Sequence, residues 1–480
     1  MAAMTRTSAA PAVVALCLWL WLLARGAAAA RSSCYADNTT PYLLLGAKTA
    51  YEFVYGRPTP QQTTIPYCEP QQIWILSRHG TRYPGSDDYD KLNSLASFRD
   101  QVIRNHEVNH EGDLCDKDLD NLRNWTLKFT ADMGDVLTKQ GEDDMRLMAQ
   151  RFKNRYPSLF SEGYRQDLYE FRYTNTQRTQ ASAEKFAEGL FGSSQGVYFP
   201  TPLDNDTLLK PYDTCNAWKT MVDDNPDAKI EQTLFEEGPW MEEVIANVSK
   251  RLGFRYQLKY DDISTIYDMC RYDKAWNLVA VSPWCAAFSD SELQVMEYKE
   301  DLKYYYKSGY GHDINVELGC TTLKDLMDHF QNLESNKTSA KGVFYFSHSS
   351  MLHMMQSRMG IAKDSEPLTH DGYNTTQKRK WRTSKIGSFA TNIAAVFLKC
   401  TEGDTYRVMF YVAENVADIE GCQVGLCSWD TVKAKYADIA EKCNLDFCNM
   451  NRSGTTGIHR LPWFYALINA IIVILLLKRN

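Results

Sequence analysis

Two short apolar runs, hundreds of residues apart, each stop on a histidine. QIWIL at Gln72 to Leu76 leads through Ser77 and Arg78 into His79, and GVFYFS at Gly342 to Ser347 leads straight into His348. Both runs are bulky, apolar and bounded by loop-forming residues, which is the pattern of a buried strand. Between and after them the same alternation continues. Asp135 to Arg155 reads as a helix, with Leu137, Met145, Met148 and Phe152 at helical spacing and Pro157 as its stop. Leu168 to Tyr173 reads as a strand, followed by a helix carrying Ala183, Phe186, Ala187 and Leu190 on one face, and Tyr406 to Val412 reads as a further strand. The stretch from about residue 205 to 330 has amphipathic segments such as Trp240 to Leu252 and Glu292 to Tyr306, punctuated by prolines. The expected fold is therefore α/β: an open sheet with helices on both faces, interrupted by an α-rich insertion or cap. Ligands of such sheets sit beyond the carboxyl ends of the strands. His79 and His348 are then expected at one site.

The first of these strand ends carries unusual chemistry. In WILSRHGTRYPG, Arg78 and Arg82 flank His79 within five residues. A guanidinium is a planar fork of donors that matches phosphate oxygens. A phosphoryl group held by Arg78 and Arg82 presents phosphorus to the imidazole, which attacks it to form phosphohistidine. The arginines hold the equatorial oxygens as charge redistributes, so no metal or other cofactor is called for. Gly80 is expected to let the backbone approach the phosphate. Arg178, just past a strand end and at a helix start, is a candidate third arginine, although taken alone it reads as a surface residue. His348 is a candidate for donating to, or carrying charge beside, the same phosphate; a histidine packed at a strand terminus is the competing reading. His353, His370 and His459 have less context, and no H-E-x-x-H pattern points to a metal.

The flanks concern location. Arg6, an apolar run from Pro11 to Leu23 and a small-residue exit ending at Ala30 form a signal-peptide pattern over residues 1–30, with a retained signal anchor as the alternative. Removing Cys17 with that segment leaves twelve cysteines, an even set that suits up to six disulfides in an oxidising compartment, with connectivity open. Seven N-x-S/T sequons accompany them, beginning at Asn38, Asn124, Asn205, Asn247, Asn336, Asn374 and Asn451. Near the other end, residues 461–477 are apolar apart from Asn469, after a polar, small-residue stretch from Asn451 to Gly457. That order fits a lipid-anchor signal, the preferred reading, with a short spanning helix held by Lys478 and Arg479 as the alternative. Either attaches the protein to a membrane with its main body on the cell surface or extracellular side. A net charge of -7 without a basic stripe argues against nucleic acid as a partner. The segment Lys378 to Arg382, with Lys385 beyond it, is basic and reads either as a solvated face or as a positive rim for a highly charged substrate.

Arg78-His79-Gly80-Thr81-Arg82-Tyr83-Pro84 resembles the R-H-G-x-R-x-P signature of the histidine acid phosphatases. Further segments resemble the multiple inositol polyphosphate phosphatase branch of that family: LTKQG at Leu137 to Gly141, RTQASAEKFAEGL at Arg178 to Leu190, CRYDKAW at Cys270 to Trp276, SPWCAAF at Ser282 to Phe288 and EPLT at Glu366 to Thr369. The resemblance spans about Tyr51 to Cys448. It implies an α/β lobe and a helical lobe with the active site between them, within a phosphatase domain of about residues 31–455. It implies His79 as nucleophile, Arg78, Arg82 and Arg178 as phosphate ligands, and His348 completing the pocket. The substrates it implies are phytate and related inositol phosphates, with 2,3-bisphosphoglycerate for some members. No obligate protein partner is implied.

One position departs from the pattern. The branch has His-Ala-Glu after the second strand, the glutamate being the proton donor, and other acid phosphatases have His-Asp. Here the residues are His348-Ser349-Ser350. The leaving alkoxide needs a proton, and a positioned acid contributes about 10²–10⁴-fold. Serine does not supply it. Either another carboxylate reaches in, from the cap or from around Asp364 and Glu366, or the protein is a slow or inactive binder of polyphosphates.

Overall fold

The central strand β1 (Cys68–Arg78) is buried without a break from Gln72 to Arg78. A strand with apolar residues at both parities must be covered on both faces, and the computed structural model, which describes residues 34–59 and 64–449, has this arrangement. The remaining strands are β2 (Tyr169–Tyr173), β3 (Gly342–Ser347), β4 (Asn392–Cys400), β5 (Tyr406–Val412), β6 (Asn415–Val416) and β7 (Leu426–Ser428). They form one open sheet in the order β2-β3-β1-β4-β5-β6, with β7 also paired to β5. β2, β3 and β1 run parallel, while β4 returns antiparallel beside β1. β4, NIAAVFLKC, is not among the strands expected from the sequence; a short apolar run is compatible with helix or strand until its pairing partner is known.

The longer helices are α1 (Tyr89–Glu107), α2 (Asp116–Arg123), α3 (Lys139–Arg155), α4 (Gln177–Phe191), α5 (Pro239–Arg251), α6 (Tyr260–Trp276), α7 (Asp290–Ser308), α8 (Cys320–Glu334), α9 (Ser349–Met359) and α10 (Trp429–Glu441). Strand alternation sends Ile73, Ile75, Phe344 and Phe346 to one core, where α3 and α4 add Met145, Met148, Phe152, Ala183, Phe186 and Leu190. Trp74, Leu76, Val343 and Tyr345 face the opposite core, built with α8, α9 and α10. A third core, formed from α1, α2, α5, α6, α7 and residues 368–389, makes the helical lobe. Helices between residues 205 and 330 divide between two cores: Leu209, Trp218, Leu323 and Phe330 pack on the sheet, whereas Met241, Ile266 and Leu302 belong to the helical lobe.

All twelve cysteines from Cys34 to Cys448 are paired, as Cys34–Cys115, Cys68–Cys400, Cys215–Cys448, Cys270–Cys285, Cys320–Cys443 and Cys422–Cys427. Among the described residues no helix is long and apolar enough to cross a membrane. Segments 1–30 and 461–477 lie outside the described residues.

Candidate active site

Parallel pairing of β1 and β3 sets Arg78 opposite Ser347, so the next residues, His79 and His348, leave the sheet side by side. The His79 amide donates to the Ser347 carbonyl at 3.0 Å, and the two imidazole rings lie 5.7 Å apart, centre to centre. β2 is in parallel register with β3, Tyr173 opposite Phe346, so its exit points the same way. The chain turns there through Thr174 to Thr176 and enters α4, whose second residue is Arg178. Because β4 runs antiparallel to β1, the residues that precede it arrive at this end as well, and Phe389 packs under the Arg78 guanidinium at 4.6 Å. Arg78, His79, Arg82, Arg178 and His348 are thus brought together from three strand ends and a helix start.

The loop after β1 is fixed by packing. A Cβ on Gly80 would stand 2.4 Å from the Gly141 carbonyl oxygen, and one on Gly141 would stand 2.1 Å from that of Thr81. Gly80 is therefore required where the signature loop crosses the start of α3, a reason different from the phosphate approach expected of it. Thr138 caps α3 by accepting from the Gly141 amide at 3.1 Å, and its hydroxyl donates to the Thr81 carbonyl at 2.9 Å. Asp144, one turn into α3, accepts from the Thr81 amide and hydroxyl at 3.1 and 2.7 Å. Ser182 of α4 accepts from the Gly80 amide at 3.1 Å. Asp144 and Ser182 are not among the site residues expected from the sequence. Their spacing along helices already read as amphipathic gave no sign that their polar atoms face inward.

His79 Nδ1 lies 2.8 Å from the Gly80 carbonyl. A carbonyl only accepts, so Nδ1 carries the hydrogen and Nε2 holds the free lone pair. Burial, reinforced by Arg78, Arg178, His348 and Arg82, holds the His79 pKa well below its usual 6.5. The ring is neutral. Burial with Arg178, Lys210, Arg78 and Arg82 has the same effect on His348, whose Nε2 lies 3.0 Å from the Thr174 hydroxyl oxygen. His348 is accordingly neutral in the free protein, rather than a resident cation.

The arginines remain the positive groups. Burial lowers Arg78 to about 10, still protonated at neutral pH, while its Nη1 donates to the Gly387 carbonyl at 2.6 Å. Arg82 is held above its ordinary value, against burial, by Tyr272, Asp135, Tyr304 and Asp88. Asp135 lies 3.0 Å from Arg82 and 3.7 Å from Arg178. The Nε atoms of Arg78 and Arg178 are buried without a protein acceptor, as suits donors kept for an anion.

Ser350 sits in the first turn of α9, nearly buried, with His348 as the helix N-cap residue. Of the two acidic residues named as substitutes outside the cap, one is occupied and the other faces solvent. Asp364 accepts from the backbone amides of Lys380 and Trp381 at 2.7 and 3.0 Å, and Glu366 is exposed. The basic segment is neither a solvated face nor a rim throughout. Arg379 and Arg382 turn inward to Asp301 and Glu297, Trp381 is fully buried, and Lys378, Lys380 and Lys385 face solvent. His353 is buried and bonded to Ser308, and His370 pairs with Glu231 away from the site.

Residues 71–413 match the family described as "Histidine phosphatase superfamily (branch 2)". Over 450 residues the chain is 37% identical to multiple inositol polyphosphate phosphatase 1 of Drosophila melanogaster, covering 92% of this chain and 95% of that protein. Over 483 residues it is 30% identical to multiple inositol polyphosphate phosphatase 1 of Homo sapiens, covering 94% and 98%. Among solved structures, the phytase from D. castellii superposes with a TM-score of 0.69 at 18% identity, covering 87% of this chain and 92% of that one. Bifidobacterium longum multiple inositol polyphosphate phosphatase, in complex with inositol hexasulfate, superposes at 0.59 and 14% identity, covering 79% and 94%. The structural likeness at these identities concerns the fold.

Proposed function

The chain belongs to branch 2 of the histidine phosphatase superfamily, and from that membership we propose that it is a phosphomonoesterase of inositol polyphosphates acting through a phosphohistidine on His79. The observation that carries the mechanism is the tautomer: His79 Nδ1 is committed to Gly80, so Nε2 is left as the lone pair among Arg78, Arg82 and Arg178. In this reading the three guanidinium groups hold the transferred phosphoryl group, and their field stabilises the equatorial oxygens as the ester bond opens. His348, next to His79, completes the pocket wall. The relatives' names support the substrate class, because both are multiple inositol polyphosphate phosphatases.

The six disulfides support synthesis in the secretory pathway. With the signal-like residues 1–30 and the hydrophobic segment 461–477, they favour a phosphatase displayed outside the cytoplasm and held at a membrane. The helices gathered in the third core would form the wall facing the sheet's carboxyl end and contribute to substrate choice.

Serine at position 350 favours a second reading, a polyphosphate-binding protein with little turnover. Phosphate release from phytate separates the two. The enzyme reading expects wild-type protein to release phosphate and His79→Ala to release none. Equal release by both proteins across acidic and neutral pH would leave only the binding reading.

A further inference from the structure

With no carboxyl group at position 350, the leaving alkoxide still needs a proton, and the carboxylates around the arginines are engaged. Asp135 lies against Arg82 and Arg178, and Asp88, which also acts on Arg82, accepts from the Gly85 amide. The helical lobe offers a different acid. Ser350 and His353 lie three residues apart on α9 and so share one face of that helix. α7 packs against α9, and the ring of its Tyr304 meets the His353 ring at 5.3 Å. His353 Nε2 in turn abuts Gly387, where an added Cβ would stand 2.2 Å from it, and the Gly387 carbonyl is the one that accepts from Arg78. Tyr304 therefore stands over the face of α9 that positions 350 and 353 share, and is linked through His353 and Gly387 to the arginine that flanks the nucleophile. Its side chain is half-buried, and its hydroxyl has no hydrogen-bond partner among the described residues.

We propose that Tyr304 donates the proton to the leaving oxygen. The proposal rests on the phosphohistidine reading above. As the Nε2–P bond forms on His79 and the P–O bond of the ester breaks, the Tyr304 hydroxyl hydrogen passes to the departing alkoxide, which leaves as the neutral alcohol. The tyrosinate then takes a proton from the water that opens phosphohistidine, which restores the phenol and releases phosphate. The surroundings suit a transient phenolate. Against burial, Lys303 holds the Tyr304 pKa below its usual value, opposed by Glu300 and assisted by Arg78 and Lys48. Lys303 lies 5.8 Å from the Tyr304 ring centre, and no ion pair within 4 Å engages it among the described residues.

The test compares two leaving groups in single-turnover measurements on wild type and Tyr304→Phe. The substitution removes only an unpartnered hydroxyl, and circular dichroism with a melting curve checks that the variant is folded. With phytate, whose alkoxide must be protonated, Tyr304→Phe is expected to slow ester cleavage by about 10²–10⁴-fold. With p-nitrophenyl phosphate, whose stabilised phenolate departs without a proton, the rate is expected to stay at the wild-type level. Unchanged rates with both substrates would overturn the proposal while leaving the phosphohistidine reading intact. Equal slowing with both would also overturn it, since Tyr304 would then serve phosphate binding or positioning. If wild type cleaved neither substrate, the reading beneath it would fall as well.

Discussion

Charge state decides what each side chain in the cage can do. The neutral form of His79 persists well below pH 6.5 because burial and then Arg78 oppose its protonation. The acid limb of kcat/KM, which reports the free enzyme's essential base, is therefore expected below 6.5. A limb at an ordinary histidine value, seen in a pH–rate profile, would contradict this. Linkage gives a second expectation. His79, His348 and His353 have folded pKa values depressed below 6.5, His353 to about 3. Unfolded chains bind these protons near 6.5 and folded ones do not, so stability is retained above that pH and falls as the pH drops through it. Denaturant melts at pH 7 and pH 5 measure the difference. Arg78, His79 and Arg82 were legible from their spacing alone. His348 was legible beside His79 because both end apolar strand runs, whereas Arg178, which taken alone read as a surface residue, joined the set through family resemblance. Tyr304 was invisible, since its role depends on α7 meeting α9.

Helix starts and strand ends position these side chains through close backbone packing. Gly141→Ala would drive a methyl group into the Thr81 carbonyl, moving the signature loop at a cost of about 1–3 kcal/mol. A misplacement near 1 Å costs about 10²-fold in rate, so this variant is expected to lose far more activity than stability, measured as kcat against a melting curve. The stretch 378–385 behaves differently. Arg379 Nε bonds Asp301 at 2.7 Å, and both side chains are almost wholly buried. Arg379→Ala leaves an unpaired buried carboxylate and is expected to destabilise by about 3–5 kcal/mol in chemical denaturation. Lys378→Ala, at the exposed position beside it, is expected to change stability by less than about 0.5 kcal/mol. A run of basic residues looked uniform in the sequence because composition does not say which ones find buried acids.

Across the molecule, the sheet and the cross-links decide which distant segments meet. β1, β3 and β5 were readable because continuous apolar runs must be covered on both faces. β4 was ambiguous by period alone, and its antiparallel return brings Phe389 beneath Arg78. The parity of the cysteines was readable, while their pairing depends on the folded path. Cys443 and Cys448, close together in sequence, join Cys320 and Cys215 respectively. Cys215–Cys448 ties the segment around Leu209 to Trp218 to the chain that follows α10. Replacing both cysteines by alanine is expected to lower stability by about 2–4 kcal/mol, read as an earlier thermal midpoint.

Phosphoryl transfer to the His79 side chain is tested most directly by quenching the protein during turnover of labelled phytate and mapping the bound label. An acid-labile, base-stable phosphate on His79 of the wild type, absent from His79→Ala, is the expected result. Continued phosphate release with no label on that imidazole would contradict it.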